Sequence, residues 1–490
     1  MSQPDRSADI DTLLACLDRF RDRHVWVAGD VMLDEYLTGA VERVSPEAPV
    51  PVVRVRGSEH RLGGAANVAR QIAALGARVS LGGLIGEDEA GKRFLELCAA
   101  AGIDCRGVLA VPARPTTRKL RVLGQSQQLL RLDFEDVEPC APQLAARLVA
   151  ALATASRPDA IILSDYAKGV LTPDTLAGIG QLRAGTPLVI DPKHRDFSRY
   201  RGATTLTPNL HELELASGRK LDPEDTAGLT AAARELIARA GLESMVVTLG
   251  SRGMLVVPAE GREVAVPAIR REVYDVTGAG DTAIAVLALA LADGAPLAHA
   301  AQLANAAAGV AVCQVGAVAV SAASIRDALV SHPDSKILSR HDLAARAATW
   351  RSAGKRIVLT NGCFVLLHAG HLTLLGHAAR LGDVLVLAIN SDASVRRLKG
   401  ADRPLVPQAE RAALLAALTH VDAVTVFDED TPLEVLKEVR PDVLVKGGDY
   451  QLSEVVGREL VEAAGGRVEI VPLVPERSTS SLLERIRSGR

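Results

Sequence analysis

Aromatic side chains are scarce in this sequence: six Phe, two Trp and five Tyr among 490 residues. Hydrophobic residues nevertheless make up 48% of the chain, so large cores can form. They must be built from Ala, Val and Leu, as in parallel sheets covered by helices. Cysteine is sparse too. Cys16, Cys98, Cys105, Cys140, Cys313 and Cys363 form no C-x-x-C pair, which argues against a disulfide frame and for a reducing cytosol. No long apolar run exists. The longest is about eleven residues, against the roughly 20 that a membrane span needs. The N-terminus lacks a basic-then-apolar leader pattern. A net charge of -3 gives no dominant surface for nucleic acid. These absences predict a soluble cytoplasmic protein without nucleic-acid or membrane partners, and the length predicts two or three domains.

The glycine-rich stretch Asp275-Val276-Thr277-Gly278-Ala279-Gly280-Asp281 precedes an unbroken apolar run, Thr282 to Ala292. The run predicts a buried helix. Its N-terminal amides would attract a phosphate, and Asp281 can take a proton from an attacking hydroxyl. A carboxylate there need only accept the proton late in a loose phosphoryl transfer, so an ordinary low pKa is tolerable.

Upstream, Val25 to Ala28 reads as a strand ending in Gly29-Asp30, with Asp34 four residues on. Carboxylates past the C-terminal end of a buried strand can hold sugar hydroxyls; Asp30 reads equally as a turn or cap residue. Gly63-Gly64-Ala65-Ala66-Asn67 opens a helix that runs to Leu75 and stops at Gly76. The glycines allow close approach of a ligand, and Asn67 can bond a sugar. β-like stretches at 50–55, 119–123 and 129–133 fit no βαβ rhythm. They predict a small separate sheet that covers the site as a lid or pairs with another subunit.

From Val79 strands and helices alternate, with strands expected at 79–84, 160–163, 188–190, 204–206 and 245–248. Their ends carry Ser164-Asp165, Asp191-Pro192-Lys193, Pro208-Asn209 and Gly250-Ser251, which suits a parallel sheet with functional groups along one edge. Asn209-Leu210-His211-Glu212 follows one such strand. Asn209 and Glu212 share a helical face, either to organise Mg²⁺ near a triphosphate or as a capping box.

In order and spacing, these motifs resemble the ribokinase-like sugar kinases over about 310 residues. The resemblance implies ATP and Mg²⁺, an anion hole from the amides of Gly278, Ala279 and Gly280, and Asp281 as base. Asn209, Leu210, His211 and Glu212 would serve the nucleotide, with Glu212 on the metal side. Asp30, Asp34, Gly63, Gly64, Asn67 and Lys193 would serve the sugar.

Ser331 to Ser335 is a polar break. The expected division is a kinase domain at 1–335, a linker and helix at 336–355, and a second domain at 356–490. Strand 356–360 leads into Asn361-Gly362-Cys363-Phe364-Val365-Leu366-Leu367-His368-Ala369-Gly370-His371. The two histidines, three apart at a helix start, can face one ligand. Arg396, Arg397, Lys399 and Arg403 form a basic cluster, either a solvated face or a phosphate clamp. This pattern resembles the cytidylyltransferase-like superfamily, in which both histidines stabilise charge on a nucleotide's α-phosphate. By that resemblance Asn361, Gly362, Lys446, Ser478, Thr479 and Ser480 contact the nucleotide, and Asn390, Asp392 and Arg403 the substrate. The superfamily's Asp after Phe is replaced by Val365.

The pairing of the two domains resembles the bifunctional enzymes of ADP-heptose synthesis. It implies an α/β protein: a ribokinase-like three-layer sheet with a β lid, then a Rossmann-like nucleotidyltransferase domain. Its substrates would be small phosphorylated sugars, and the kinase domains would pair as a homodimer. Two other readings remain open: the same architecture acting on another sugar phosphate, or a kinase carrying a non-catalytic, nucleotide-binding regulatory domain.

Overall fold

The computed structural model describes every residue except 1–6, 113, 125–126, 269–274, 314–315, 317, 331–335, 449–450 and 472–490. The chain divides into two compact units. One is Leu13–Ala328, and the other is Leu329–Arg490 together with Met1–Thr12. The polar break at 331–335 lies outside the described residues.

The first unit is built on a nine-stranded sheet among the described residues. Its spatial order is Val264–Val266, Met254–Pro258, Ser244–Thr248, Thr205–Leu206, Leu188–Asp191, Ala160–Ser164, His24–Gly29, Arg78–Gly86 and Asp104–Val111. All neighbours run parallel except the first two strands, which form an antiparallel edge. The central strands are buried along their whole length. That follows from helices on both faces, which leave no polar side to alternate with. Leu148, Leu152, Ile179, Leu229 and Leu236 close one face against Trp26, Ile161 and Leu163. On the other, the Ala-rich helices Ala65–Ala74, Ala279–Ala292 and Leu297–Ala311 pack together. In Ala279–Ala292 every residue from Asp281 to Ala290 is buried; small side chains all round let it pack closely on several sides.

A separate four-stranded sheet has the order Pro51–Gly64, Val31–Val44, Arg118–Gly124 and Gln127–Phe134. Three of these strands extend the expected stretches. Val31–Val44 is an unforeseen fourth, continuing from the central strand just past Asp30. Polar Asp34, Tyr36 and Thr38 alternate along it, and register shifts at Thr38/Gly39 and Val41/Arg43 break its pattern. Asp104–Val111, Met254–Pro258 and Val264–Val266 are further strands beyond those expected; the first is only partly apolar, and the third is three residues long and mostly exposed.

Among the described residues, the second unit carries a six-stranded, all-parallel sheet: Ile337–Leu338, Ala423–Phe427, Val384–Asn390, Ile357–Gly362, Val443–Gly447 and Arg467–Val471. The segment 336–355 contributes the Ile337–Leu338 edge strand and the helix Arg340–Ser352, whose Leu343 and Ala347 enter one core. Leu375, Ala412 and Leu415 close the opposite face. Among the described residues, no helix is long and apolar enough to cross a membrane.

Candidate active sites

Asp281 is the third residue of Ala279–Ala292, whose N-cap Gly278 has φ 79°, a conformation that favours glycine. Its carboxylate is buried and doubly held. Asn67 Nδ2 donates to Oδ2 at 2.6 Å and the Tyr166 hydroxyl donates to Oδ1 at 3.0 Å. Burial pushes its pKa up to about 6, and the nearby Asp34 charge acts in the same direction. The carboxyl thus sits above the ordinary low value that the chemistry would tolerate: desolvation outweighs the two hydrogen bonds. A carboxylate that titrates near neutrality is better matched to proton abstraction.

Asn67 is itself buried, and its Oδ1 accepts from Arg70 Nη2 at 2.7 Å. Its amide thus orients the base. Asp30 is also turned inward. Its Oδ2 accepts from the amides of Tyr166 at 2.8 Å and Lys168 at 2.9 Å, and its Oδ1 from Val170 at 3.2 Å. Asp30 therefore fixes the loop that delivers the Tyr166 hydroxyl to Asp281. Of its two sequence readings, ligand or turn residue, this geometry matches the second. Asp34 pairs with the Arg121 guanidinium. Gly63 and Gly64 permit close approach, since a Cβ would strike the Asp34 carboxylate at one and the Asp30 carbonyl at the other. That room is taken by protein rather than left for a ligand.

A cavity of about 480 Å³ opens beside Asp281, and Gly278, Gly280, Lys193, Asn209 and Glu212 also line it. Ala279, between the two glycines, begins the helix. Asn209 and Glu212 form a capping box for Leu210–Ser217: Asn209 Oδ1 accepts from the Glu212 amide at 2.9 Å, and Glu212 Oε2 from the Asn209 amide at 3.0 Å. Glu212 Oε1 meets Lys193 Nζ at 3.0 Å. Capping and a cavity-facing carboxylate thus coexist in one residue. Leu210 and His211 lie outside the lining, and the His211 side chain is exposed. Asp191, one of the polar groups expected at the strand ends but given no specific role there, also lines the cavity. Burial, with the charges of Glu212 and Asp281 adding, drives its pKa well above the usual range. Carboxylates that repel one another across a cavity suit a divalent cation.

In the second unit His368 is the N-cap of Ala369–Ala379 and His371 its third residue. Their ring centroids are 3.9 Å apart, and the His368 amide donates to His371 Nδ1 at 3.4 Å. Burial lowers the His371 pKa to about 4, with His368 and Lys399 adding to the effect. Burial also lowers that of His368. Both rings are therefore neutral at pH 7. His368 Nδ1 and Asn361 Oδ1 are buried without a hydrogen-bond partner, and Lys446 is held below its usual pKa by burial. Buried polar groups normally find partners; two such atoms near a histidine pair point to a polar ligand. Gly362 ends the strand that carries Asn361.

Asn390 and Asp392 are engaged by protein. Asn390 Nδ2 donates to Ser394 Oγ at 3.0 Å. Asp392 Oδ1 accepts from Arg411 Nη2 at 2.7 Å. Arg411, almost wholly buried, also donates to the carbonyls of Cys363 at 2.6 Å, Asn390 at 2.9 Å and Val406 at 3.0 Å. It escaped the sequence reading; its one signal is a lone cation among the apolar residues of Gln408–Ala416. Arg397 is turned to Asp430, as on a solvated face, whereas the Lys399 charge reaches His371. Arg403 is half-buried ahead of Gln408–Ala416. Val365 is buried next to Phe364, whose φ is 45°. Ser478, Thr479 and Ser480 lie outside the described residues.

Residues 22–323 match the pfkB family carbohydrate kinases and residues 359–482 the cytidylyltransferase-like family. Bifunctional protein HldE of Halorhodospira halophila is 51% identical over 480 residues, covering 96% of this chain and 99% of that one. Its counterpart from Geobacter sulfurreducens is 49% identical over 466 residues, covering 94% and 95%. Two solved structures share the kinase fold over 63% of this chain. Arabidopsis thaliana ribokinase complexed with ribose and ATP is 21% identical, is covered over 98% of its length, and has a TM-score of 0.51. Escherichia coli phosphofructokinase-2 in complex with substrates and products is 20% identical, is covered over 99%, and has a TM-score of 0.52. The chain belongs to the family of bifunctional HldE proteins, in which a pfkB-type carbohydrate kinase is joined to a cytidylyltransferase-like domain.

Proposed function

We propose that this protein catalyses two steps of ADP-heptose biosynthesis. The first unit transfers the γ-phosphoryl group of ATP to O1 of D-glycero-β-D-manno-heptose 7-phosphate. The second joins heptose 1-phosphate to AMP from ATP, releasing pyrophosphate. The observation that carries the reading is the coupling of two unlike centres in one chain: a buried carboxylate of raised pKa at a glycine-rich helix N-terminus, and a neutral histidine pair without a base.

The difference follows from the nucleophiles. A sugar hydroxyl must lose a proton as it attacks, so Asp281, oriented by Asn67 and Tyr166, accepts it. The amides of Gly278, Ala279 and Gly280 receive the transferring phosphoryl oxygens. A sugar 1-phosphate is already an anion, so the second centre needs only donors toward the α-phosphate, supplied by His368 and His371. Lys446 and Asn361 fit as further nucleotide contacts. Mg²⁺, when bound, neutralises phosphate charge; Glu212 and Asp191 fit as residues that would hold it and its waters. The kinase domains pair as a homodimer through the four-stranded sheet, where Leu130, Leu132 and Phe134 are exposed.

The test is a panel of phosphorylated sugars incubated with ATP and the full chain, with ADP and pyrophosphate followed separately. Heptose 7-phosphate should yield ADP and heptose 1-phosphate should yield pyrophosphate. Preference for another sugar would shift the specificity, and ATP binding without pyrophosphate would make the second unit regulatory.

A further inference from the structure

Four connections carry the chain between the nine-stranded and the four-stranded sheet, and hydrogen bonds gather them at one place. Asp30 joins His24–Gly29 to Val31–Val44. Its carbonyl accepts from the Ala65 amide at 3.0 Å, where Pro51–Gly64 returns to the helix Ala65–Ala74. Arg114 lies on the connection from Asp104–Val111 to Arg118–Gly124. Asp136 and Glu138 lie on the one that leaves Gln127–Phe134 for the helix Pro142–Ala153. Arg114 is buried. Its Nη1 donates to the Glu138 carbonyl at 3.0 Å, and its Nη2 to the Asp136 carbonyl at 2.7 Å. Nη2 also donates to the carbonyl of Lys168, in the loop that delivers Tyr166 to Asp281.

The Tyr166 loop is thus held from two sides. Asp30 accepts the amides of Tyr166, Lys168 and Val170, whereas Arg114 binds a carbonyl. Between these ties Ala167 has φ 56°, a conformation that a side chain disfavours. A backbone in that state persists where its surroundings over-determine it. Gly169 follows with φ 88°, and a Cβ there would strike the Glu138 carbonyl. Its own carbonyl accepts from the Cys140 amide at 2.9 Å. Lys168 Nζ adds an ion pair to Glu135 Oε1 at 2.7 Å. A carboxylate can hold only the amides of such a loop; the guanidinium fork reaches several carbonyls at once.

We propose that Arg114 is a positioning residue for the phosphoryl transfer: it ties the Lys168 carbonyl to the stems of the four-stranded sheet and so keeps the Tyr166 hydroxyl on Asp281 Oδ1. The inference rests on the kinase reading given above. Arg114 does not line the cavity beside Asp281, and its three bonds go to main-chain carbonyls, so it acts through the loop rather than on the reactants. One side chain thereby governs both the setting of the base and the attachment of the sheet.

The experiment follows ADP release by the full chain with ATP and heptose 7-phosphate across pH, for Arg114→Lys, Tyr166→Phe and the double variant. Lysine keeps the charge but cannot span three carbonyls. Arg114→Lys should move the acid limb of the pH–rate profile upward, toward its position in Tyr166→Phe. It should lower kcat at pH 7 by up to roughly tenfold, no further than Tyr166→Phe does, with KM for ATP unchanged. The double variant should match Tyr166→Phe alone, because the group through which Arg114 acts is already gone. Arg114→Gln, shorter and uncharged, should move the limb at least as far as Arg114→Lys; if it fails to fold, the lysine variant carries the test. A limb left at the parent's position in Arg114→Lys, or losses that multiply in the double variant, would overturn the positioning role and leave the kinase reading standing. An unaltered protein that releases no ADP with heptose 7-phosphate would instead overturn that reading, and the inference with it.

Discussion

Asn67 Nδ2 lies 2.6 Å from Asp281 Oδ2, joining two glycine-preceded helix starts that are 214 residues apart. The contact lowers the Asp281 pKa against the larger upward push of burial. Removing the donor must therefore raise it further. Asn67→Ala is expected to move the acid limb of the kinase pH–rate profile above its starting point near pH 6, with turnover falling at pH 7. Tyr166→Phe should shift it the same way. Profiles of kcat/KM for ADP release at several pH values provide the check, and an unmoved limb would remove Asp281 as the titrating base.

The raised pKa has a consequence for stability. Folded Asp281 titrates near 6 rather than 3.8, so its contribution is fully present below about pH 4 and is lost as pH rises through about 6. At pH 7 the difference corresponds to up to about 3 kcal/mol, at about 1.36 kcal/mol per unit. Asp281→Asn should abolish sugar phosphorylation while making the first unit more stable at pH 7 than at pH 4 relative to the parent. Denaturant melts at both pH values test this. Equal effects at the two would show that the carboxylate is not strained by burial.

Glu212 has two tasks that substitution can separate. Gln retains an oxygen for the Asn209 amide, so Glu212→Gln should preserve the helix start while weakening the response of the kinase to Mg²⁺ concentration. Glu212→Ala loses both, and Asn209→Ala should cost about 1 kcal/mol of stability as a lost cap. Magnesium titrations of ADP release, set beside melting curves, distinguish them. Identical Mg²⁺ dependence in Glu212→Gln and the parent would leave only the capping role.

The motifs were legible because helix-terminus chemistry is local. Gly278 to Asp281 and His368 to His371 each declare a helix start within a few residues, and the alternating strand pattern declares the sheets. What escaped depends on distant partners. Asp30 looks like a ligand until the amides of Tyr166, Lys168 and Val170 close around it. Tyr166, Asp191 and Arg70 acquire meaning only from tertiary proximity to Asp281. Val31–Val44 alternates polar residues across a lid and so lacks the apolar run that betrays a core strand.

The histidine pair predicts a proton uptake. His371 titrates near 4 in the unliganded protein, because burial, His368 and Lys399 all disfavour its charged form. A nucleotide's phosphates reverse the local field and should raise that value. ATP binding to the second site should therefore take up protons near pH 6, visible as buffer-dependent heats in calorimetry. His371→Ala should remove this component and pyrophosphate release, with ADP release from the kinase unaffected. Parallel loss of both activities would refute two separate centres.

Arg411 is expected to be the most sensitive structural position in the second unit. Its guanidinium holds the carbonyls of Cys363, Asn390 and Val406 and the Asp392 carboxylate, at 1% side-chain exposure. It thus ties the start of the loop leading to His368 to the end of the Val384–Asn390 strand and to the helix that follows. Arg411→Met fills similar volume but strands three carbonyls and one carboxylate. Breaking a buried pair in this way costs about 3–5 kcal/mol. Lys supplies one charge but not a planar fork and cannot reach several acceptors at once, so Arg411→Lys should recover little. Asp392→Asn, which keeps an acceptor and sits nearer the surface, should be milder. Urea unfolding of the three variants, with pyrophosphate release measured below the transition, gives the order. If Arg411→Lys proved as stable as the parent, the multidentate geometry would not be what holds the loop, and positioning of His368 would have to come from the packing of Phe364 and Val365 instead.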